Sequence, residues 1–271
     1  MTLNSIVKLE KTGKTSVFET NGFVFSIHED RNNDIWYGTW SNGFGKIDAD
    51  RNSQLRFSSS GKSKSLSSDI VLAINDDFDN NLWIGTKGGG LNISPIRILN
   101  QGESTFAVYQ QIENDTSSLS NNNITCIFIA KDSSIWVGTE IGLNKVLFPK
   151  NTSRLEAIMQ GKLLFKPYFV SDGLPNNTVC GILQDASGLL WIGTRDGLSC
   201  MNPESNTFIN YSEKDGLPAG EFHTNAFYKA DDKELYYGGI NGITILILQI
   251  LNKTLTRLKL YSLHSKYLIK R

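Results

Sequence analysis

Five short runs of nearly identical residues recur along the chain: Ile35-Trp36-Tyr37-Gly38-Thr39, Leu82-Trp83-Ile84-Gly85-Thr86, Ile135-Trp136-Val137-Gly138-Thr139, Leu190-Trp191-Ile192-Gly193-Thr194 and a weaker Leu235-Tyr236-Tyr237-Gly238-Gly239. From aromatic to aromatic the intervals are 47, 53, 55 and 45 residues. A period of about 40 to 50 residues, with an aromatic set in a short apolar run each time, predicts radial repetition of four-stranded sheets, an all-β β-propeller.

Each unit supplies what four strands need. In the first, Val24-Phe25-Ser26-Ile27 leads through the polar turn His28 to Asn33 into the tryptophan run, then Phe44 to Asp48, then Leu55-Arg56-Phe57. The Asn, Asp and Gly clusters between these pieces tolerate the backbone conformations of tight hairpins. The aromatic therefore falls on the second strand, where Trp36, Trp83, Trp136, Trp191 and Tyr236 fill the wedge between neighbouring sheets. Gly38, Gly85, Gly138, Gly193 and Gly238 suit a close approach between blades. The aspartate of the preceding turn is placed to accept hydrogen bonds from turn amides.

The pattern divides the chain into residues 1–20, read as the two outer strands of a partial blade; 21–245, five blades; and 246–271, a tail outside the repeat. Extra length near residues 94 to 118 and 149 to 166 is expected on blade edges and loops, outside the core. From residue 245 on there are six Lys or Arg and no acidic residue, which leaves 21 basic against 27 acidic before it. A truncated or frameshifted end accounts for that tail better than a membrane-surface amphipathic helix or a partner-binding strand does, since neither shows clean periodicity. Closure stays open: a tight five- or six-bladed ring and an arc of a larger ring both fit.

The formal net charge of the 271 residues is zero, so no nucleic-acid partner is indicated. Cys126, Cys180 and Cys200 have no C-x-x-C spacing, and the first two hold equivalent repeat positions, which suggests small buried side chains. Neither a secretory leader at Met1-Thr2-Leu3-Asn4-Ser5 nor an apolar run of the ~20 residues that span a bilayer is present.

Two stretches carry a resemblance: Ser67-Ser68-Asp69-Ile70 through Trp83-Ile84-Gly85-Thr86-Lys87-Gly88-Gly89-Gly90-Leu91, and Asp172-Gly173-Leu174-Pro175-Asn176-Asn177 through Trp191-Ile192-Gly193-Thr194-Arg195-Asp196-Gly197-Leu198. They resemble the two-component regulator propeller repeat of extracytoplasmic sensor regions in hybrid histidine kinases, especially of Bacteroidetes. Asp215-Gly216-Leu217-Pro218 with the run from Tyr236 to Ile243 is similar to the last repeat of such propellers. The resemblance implies a periplasmic sensor that perceives an extracellular cue, often a glycan fragment, and relays it to a kinase domain that this chain does not contain.

Trp40 is the candidate ligand platform because it breaks the repeat, the equivalent residues being Lys87, Glu140, Arg195 and Ile240. Arg195, Asp196, Glu221 and His223 could add hydrogen bonds from neighbouring loops, and aromatic rings with a few polar groups suit a sugar. No cofactor or metal is indicated: Asp77-Phe78-Asp79-Asn80-Asn81 has Leu82 where a calcium loop needs glycine, and His28, His223 and His264 are scattered. No catalytic constellation argues for an enzyme, a propeller lyase included. The competing class is a protein-interaction scaffold, docking a second copy or a neighbouring propeller.

Overall fold

The five predicted units are five sheets, arranged in a ring in a computed structural model of the chain. The structure describes residues 5–9, 13, 15–48, 54–61, 64–230, 234–251, 254–264 and 267–269, with backbone alone from residue 248 on. The N-terminal piece is a two-stranded hairpin, β1 (Ser5–Leu9) with β2 (Thr15–Glu19). The first blade is β3 (Val24–Glu29), β4 (Ile35–Thr39), β5 (Phe44–Ile47) and β6 (Gln54–Phe57). The second is β7 (Val71–Asp76), β8 (Asn81–Thr86), β9 (Leu91–Pro95) and β10 (Ala107–Tyr109), with helix α1 (Ile96–Leu99) between the last two.

The third blade is β11 (Ile124–Ile129), β12 (Ile135–Thr139), β13 (Gly142–Leu147) and β14 (Leu164–Tyr168), with α2 (Arg154–Met159) before its outer strand. The fourth is β15 (Val179–Gln184), β16 (Leu190–Thr194), β17 (Leu198–Asn202) and β18 (Thr207–Tyr211). The fifth sheet runs β19 (Phe222–Lys229), β20 (Glu234–Gly239), β21 (Gly242–Leu251), β22 (Thr254–His264) and β23 (Tyr267–Ile269). Backbone of the basic tail thus pairs antiparallel with β21, from Ile243 opposite Leu263 to Leu251 opposite Thr254.

The turns from first to second strand are built alike. Asn33, Asn80, Ser133 and Gly188 all take positive φ, and each donates its amide to the carbonyl three residues back, on Asp30, Asp77, Ala130 and Asp185. This is why Asn and Gly mark these loops in the sequence. The aspartates do more than cap a turn. Asp30 Oδ1 accepts from the amides of Asn32 and Asp34, and Oδ2 accepts from Trp36 Nε1 at 2.8 Å. Asp77 and Asp185 bind Trp83 and Trp191 in the same way, at 2.8 and 2.9 Å. In the third blade Ala130 holds that position, and Ser134 Oγ receives the Trp136 indole at 3.1 Å.

Four apolar clusters fill the four seams from the first blade to the fifth. Trp36 packs with Val71, Ile74 and Ile84; Trp83 with Ile124 and Ile127; Trp136 with Val179 and Ile182; Trp191 with Phe222 and Tyr237. All four tryptophans have no solvent exposure. The glycines behave as expected at these seams. A Cβ on Gly38, Gly85 or Gly138 would lie 2.6, 2.5 or 2.7 Å from Val71, Ile124 or Val179 of the next blade, and on Gly193 it would lie 2.8 Å from Tyr237.

The inserted segments correct one expectation. They are not confined to the surface: Ile96 and Leu99 of α1 and Ala157 and Ile158 of α2 are buried in the core. Tyr109 Oη donates to Ile158 O at 2.8 Å, which ties the third blade's insertion to the second blade's outer strand. A short helix with one apolar side extends a blade outward at little cost. The three cysteines are free and buried, as the shared repeat position of Cys126 and Cys180 suggests for those two.

Candidate functional site

One face of the ring combines a fixed backbone with variable side chains. At the end of each second strand, Thr39, Thr86, Thr139 and Thr194 donate their hydroxyls to the carbonyls of Gly43, Gly90, Gly142 and Gly197 at 2.8 to 2.9 Å. The next residue is then pinned through its amide: Trp40 to Phe23 O, Lys87 to Ile70 O, Glu140 to Asn123 O, Arg195 to Thr178 O and Ile240 to Glu221 O, at 2.9 to 3.2 Å. Five equivalent positions therefore present five different side chains from one scaffold. A repeat fold makes a site this way, because the strands keep their geometry while the loops diverge.

Of the five candidate residues, the structure brings Arg195 and Glu221 together and gives Trp40 different neighbours. Trp40 is 41% exposed, and its ring meets Phe25 at 5.5 Å and the Lys87 ammonium at 5.0 Å. The cation over the indole is a favourable contact and leaves part of the ring open to solvent. Arg195 Nε lies 3.6 Å from Glu221 Oε2, with both side chains about half exposed. Asp196 and His223 are exposed, and the Asp196 amide donates to Thr194 Oγ1 at 3.2 Å.

Below this face lies a cavity of about 430 Å³ at the axis, lined by the inner strands, with Phe25, Ser26, His28, Asn75, Asn225 and Phe227 among its walls. Phe25 connects the two features, since it lines the cavity and touches Trp40. Asn225 sits at φ 63° in an irregular part of β19 and reaches across the axis, donating to Leu72 O at 2.6 Å and Phe25 O at 3.4 Å. Ser26 Oγ is buried without a hydrogen-bond partner among the described residues. His28 Nε2 lies 2.6 Å from Asp76 Oδ1, and the Arg31 guanidinium binds the other carboxylate oxygen and Asp77 O.

Sequence reasoning missed Asn225, Ser26 and the His28–Asp76–Arg31 group. The available signal was substitution within the inner strand: His28 and Asn75 stand where Phe128, Leu183 and Tyr228 stand in other blades. Among the described residues no three His, Cys, Asp or Glu side chains gather in a way that would hold a metal. Burial pushes the Cys126, Cys180 and Cys200 thiols up to about 12, which keeps them protonated and poor nucleophiles. Among the described residues no helix is long and apolar enough to cross a membrane.

Comparison with known proteins bears directly on the repeat. The family model described as "two component regulator propeller" matches three times, at residues 19–41, 118–140 and 173–196. Three segments of this chain thus match the two-component regulator propeller repeat. A histidine kinase of Formosa agariphila is 29% identical over 163 residues, an aligned stretch that takes in 46% of this chain and 12% of that kinase. The extracellular domain assigned to a hybrid two component system of B. thetaiotaomicron shares the fold, with TM-score 0.68 at 21% identity over 98% of this chain and 38% of that one. Virginiamycin B lyase of Staphylococcus aureus also shares it, with TM-score 0.65 at 13% identity over 97% of this chain and 79% of the lyase. The regulator propeller repeat thus sits on an architecture that also serves an enzyme, so fold alone does not exclude catalysis.

Proposed function

We propose that this chain is the ligand-perceiving propeller of a two-component sensor, exposed to the extracytoplasmic space, and that its ligand is a small molecule of the oligosaccharide class. The kinase that reads the signal is not in these 271 residues. What carries the reading is the pairing of Trp40 with Phe25, a partly exposed ring at the loop face in contact with a wall of the axial cavity. Sugars bind by laying an apolar face on such a ring while polar side chains take their hydroxyls, a role open to Arg195, Asp196, Glu221 and His223.

A thermal-shift screen with oligosaccharides of varied linkage tests this. A ligand present at 100 times its Kd stabilises a protein by about 2.7 kcal/mol, a shift of several degrees for one domain. Trp40→Ala is expected to abolish the shift and Arg195→Ala to reduce it, each leaving the unliganded melting temperature within about 2 °C. Absence of any shift across the panel, or shifts that survive both substitutions, overturns the reading. The scaffold reading has its own support in Ile27 of the first blade and Tyr228 and Ile243 of the fifth, which are 58%, 66% and 43% exposed.

A further inference from the structure

The four filled seams define what a seam of this protein requires, and the place between the fifth and first blades lacks it. Ile27, Ile74, Ile127 and Ile182 are equivalent, each opposite the residue before the repeat glycine. The last three point into the preceding blade and are 9%, 6% and 0% exposed, whereas Ile27 is 58% exposed. The far side shows the same deficit. Phe44, Leu91, Leu143 and Leu198 lie opposite their glycines and are at most 1% exposed, but Ile243, opposite Gly238, is 43% exposed. Tyr228 on the same blade is 66% exposed. A Cβ on Gly238 would meet only Ala226 of its own blade, at 3.0 Å, where every other repeat glycine receives a side chain from the next blade.

A third observation concerns the hairpin that precedes the first blade. The hairpin β1–β2 is anchored next to the first blade, with Glu19 O accepting from Gln54 Nε2 at 2.9 Å and Arg56 at 2.8 Å. It supplies two strands where every blade has at least four. Its Val7, Leu9 and Val17 are 59%, 72% and 59% exposed, and β1 pairs with β2 on one side only among the described residues. An open strand edge next to uncovered apolar faces is a template for strand addition.

We propose that this seam is a docking site for a β-hairpin of the same repeat: an inner strand opening on a β-branched residue, followed by an aromatic-x-Gly-Thr strand. The second strand of the incoming hairpin pairs with the free edge of β1. Its β-branched residue enters the Gly238 socket as Val71, Ile124 and Val179 enter theirs, and its aromatic covers Ile27 as Trp36 covers Ile74. The occupant is a hairpin and not a whole blade because β1 and β2 already hold the outer positions.

The probe is a fluorescein-labelled synthetic peptide of residues 69–87, which contains one such hairpin, titrated against the intact chain and read by anisotropy. Saturable binding is expected. Ile27→Asp and Tyr228→Lys, both at exposed positions, should each weaken it at least about 10-fold while the melting temperature stays put. Gly238→Val should block it, and should that variant not fold, the other two decide. Trp40→Ala should leave binding unchanged, which separates this result from the fate of the sugar reading. Failure of the peptide to bind, equal binding to Ile27→Asp, or a dimer of the chain alone that the peptide does not dissociate overturns the proposal; the last would assign the seam to a second copy.

Discussion

Asp185 Oδ2 accepts the indole hydrogen of Trp191 at 2.9 Å, and the same carboxylate takes the amides of Ser187 and Leu189 and the Ser187 hydroxyl through its other oxygen. Both residues have no solvent exposure. One side chain thus fixes the turn and sets the rotation of the ring that fills the seam. Asp185→Ala strands a buried N–H and loosens the turn together, so unfolding by urea should show a loss of about 2 to 4 kcal/mol. Asp185→Asn should cost less, because its amide oxygen can still accept. A loss under about 0.5 kcal/mol for the alanine variant would remove this pair from the account of stability.

Equal substitutions at two repeat glycines should give unequal results. Alanine at Gly85 forces its methyl against Ile124 of the next blade, at 2.5 Å, and overpacking of this kind costs about 1 to 3 kcal/mol. Alanine at Gly238 meets Ala226 at 3.0 Å and nothing from another blade. Loss of backbone freedom in the unfolded chain returns about 0.4 to 1 kcal/mol, so Gly238→Ala should fall near neutral. Denaturation midpoints of the two variants check this, and a large loss at Gly238 would mean that its seam is packed in solution.

The strand order was legible because the aromatic, the glycine and the turn residues repeat at fixed offsets, each with one physical duty. Asp30, Asp77 and Asp185 were only half legible: a turn aspartate is explained by local amides alone, and its bond to an indole six residues on depends on strand twist. Trp40 stood out as a break in the repeat, and its position on the loop face follows from the pinned backbone. Its contact with Phe25 was hidden, as was the reach of Asn225 to Leu72, since these depend on how blades turn about the axis and not on any local pattern. The helices of the insertions were missed for another reason. Four to six residues are too few for a helical period to rise above the surrounding loop.

Lys46 is a buried cation that links two blades. Its Nζ lies 2.7 Å from Asp34, Asp48 and Asn100, the last at the end of α1 in the second blade. Burial alone would lower its pKa, but hydrogen bonds to the two carboxylates prevail and hold it above the usual lysine value. Removing one member of such a group leaves the rest uncompensated, so Lys46→Ala should destabilise by roughly 3 kcal/mol. Restoring the charge with Lys46→Arg should recover only part of this, because the longer planar group does not fit a site shaped for a point charge. Chemical denaturation of the two variants decides it.

Stability should fall as the solution turns alkaline. Burial raises Cys126, Cys180 and Cys200 from 9.0 to about 12, and it raises Tyr109 from 10.0 to about 12 against the opposing hydrogen bond of the Leu163 backbone. Each folded pKa lies above its unfolded value, so the stabilisation is complete below the unfolded pKa. It is lost as pH rises through the window up to the folded one, because there the unfolded chain releases protons that the native state keeps. Every group inside its window costs about 1.4 kcal/mol per pH unit. Urea midpoints should therefore hold level from pH 7 to 8.5, decline above about 9 as the thiols enter, and steepen above about 10 when Tyr109 joins them. Replacing the three cysteines by alanine should move the onset of the decline toward pH 10, and a decline unchanged by that replacement would assign it to other groups.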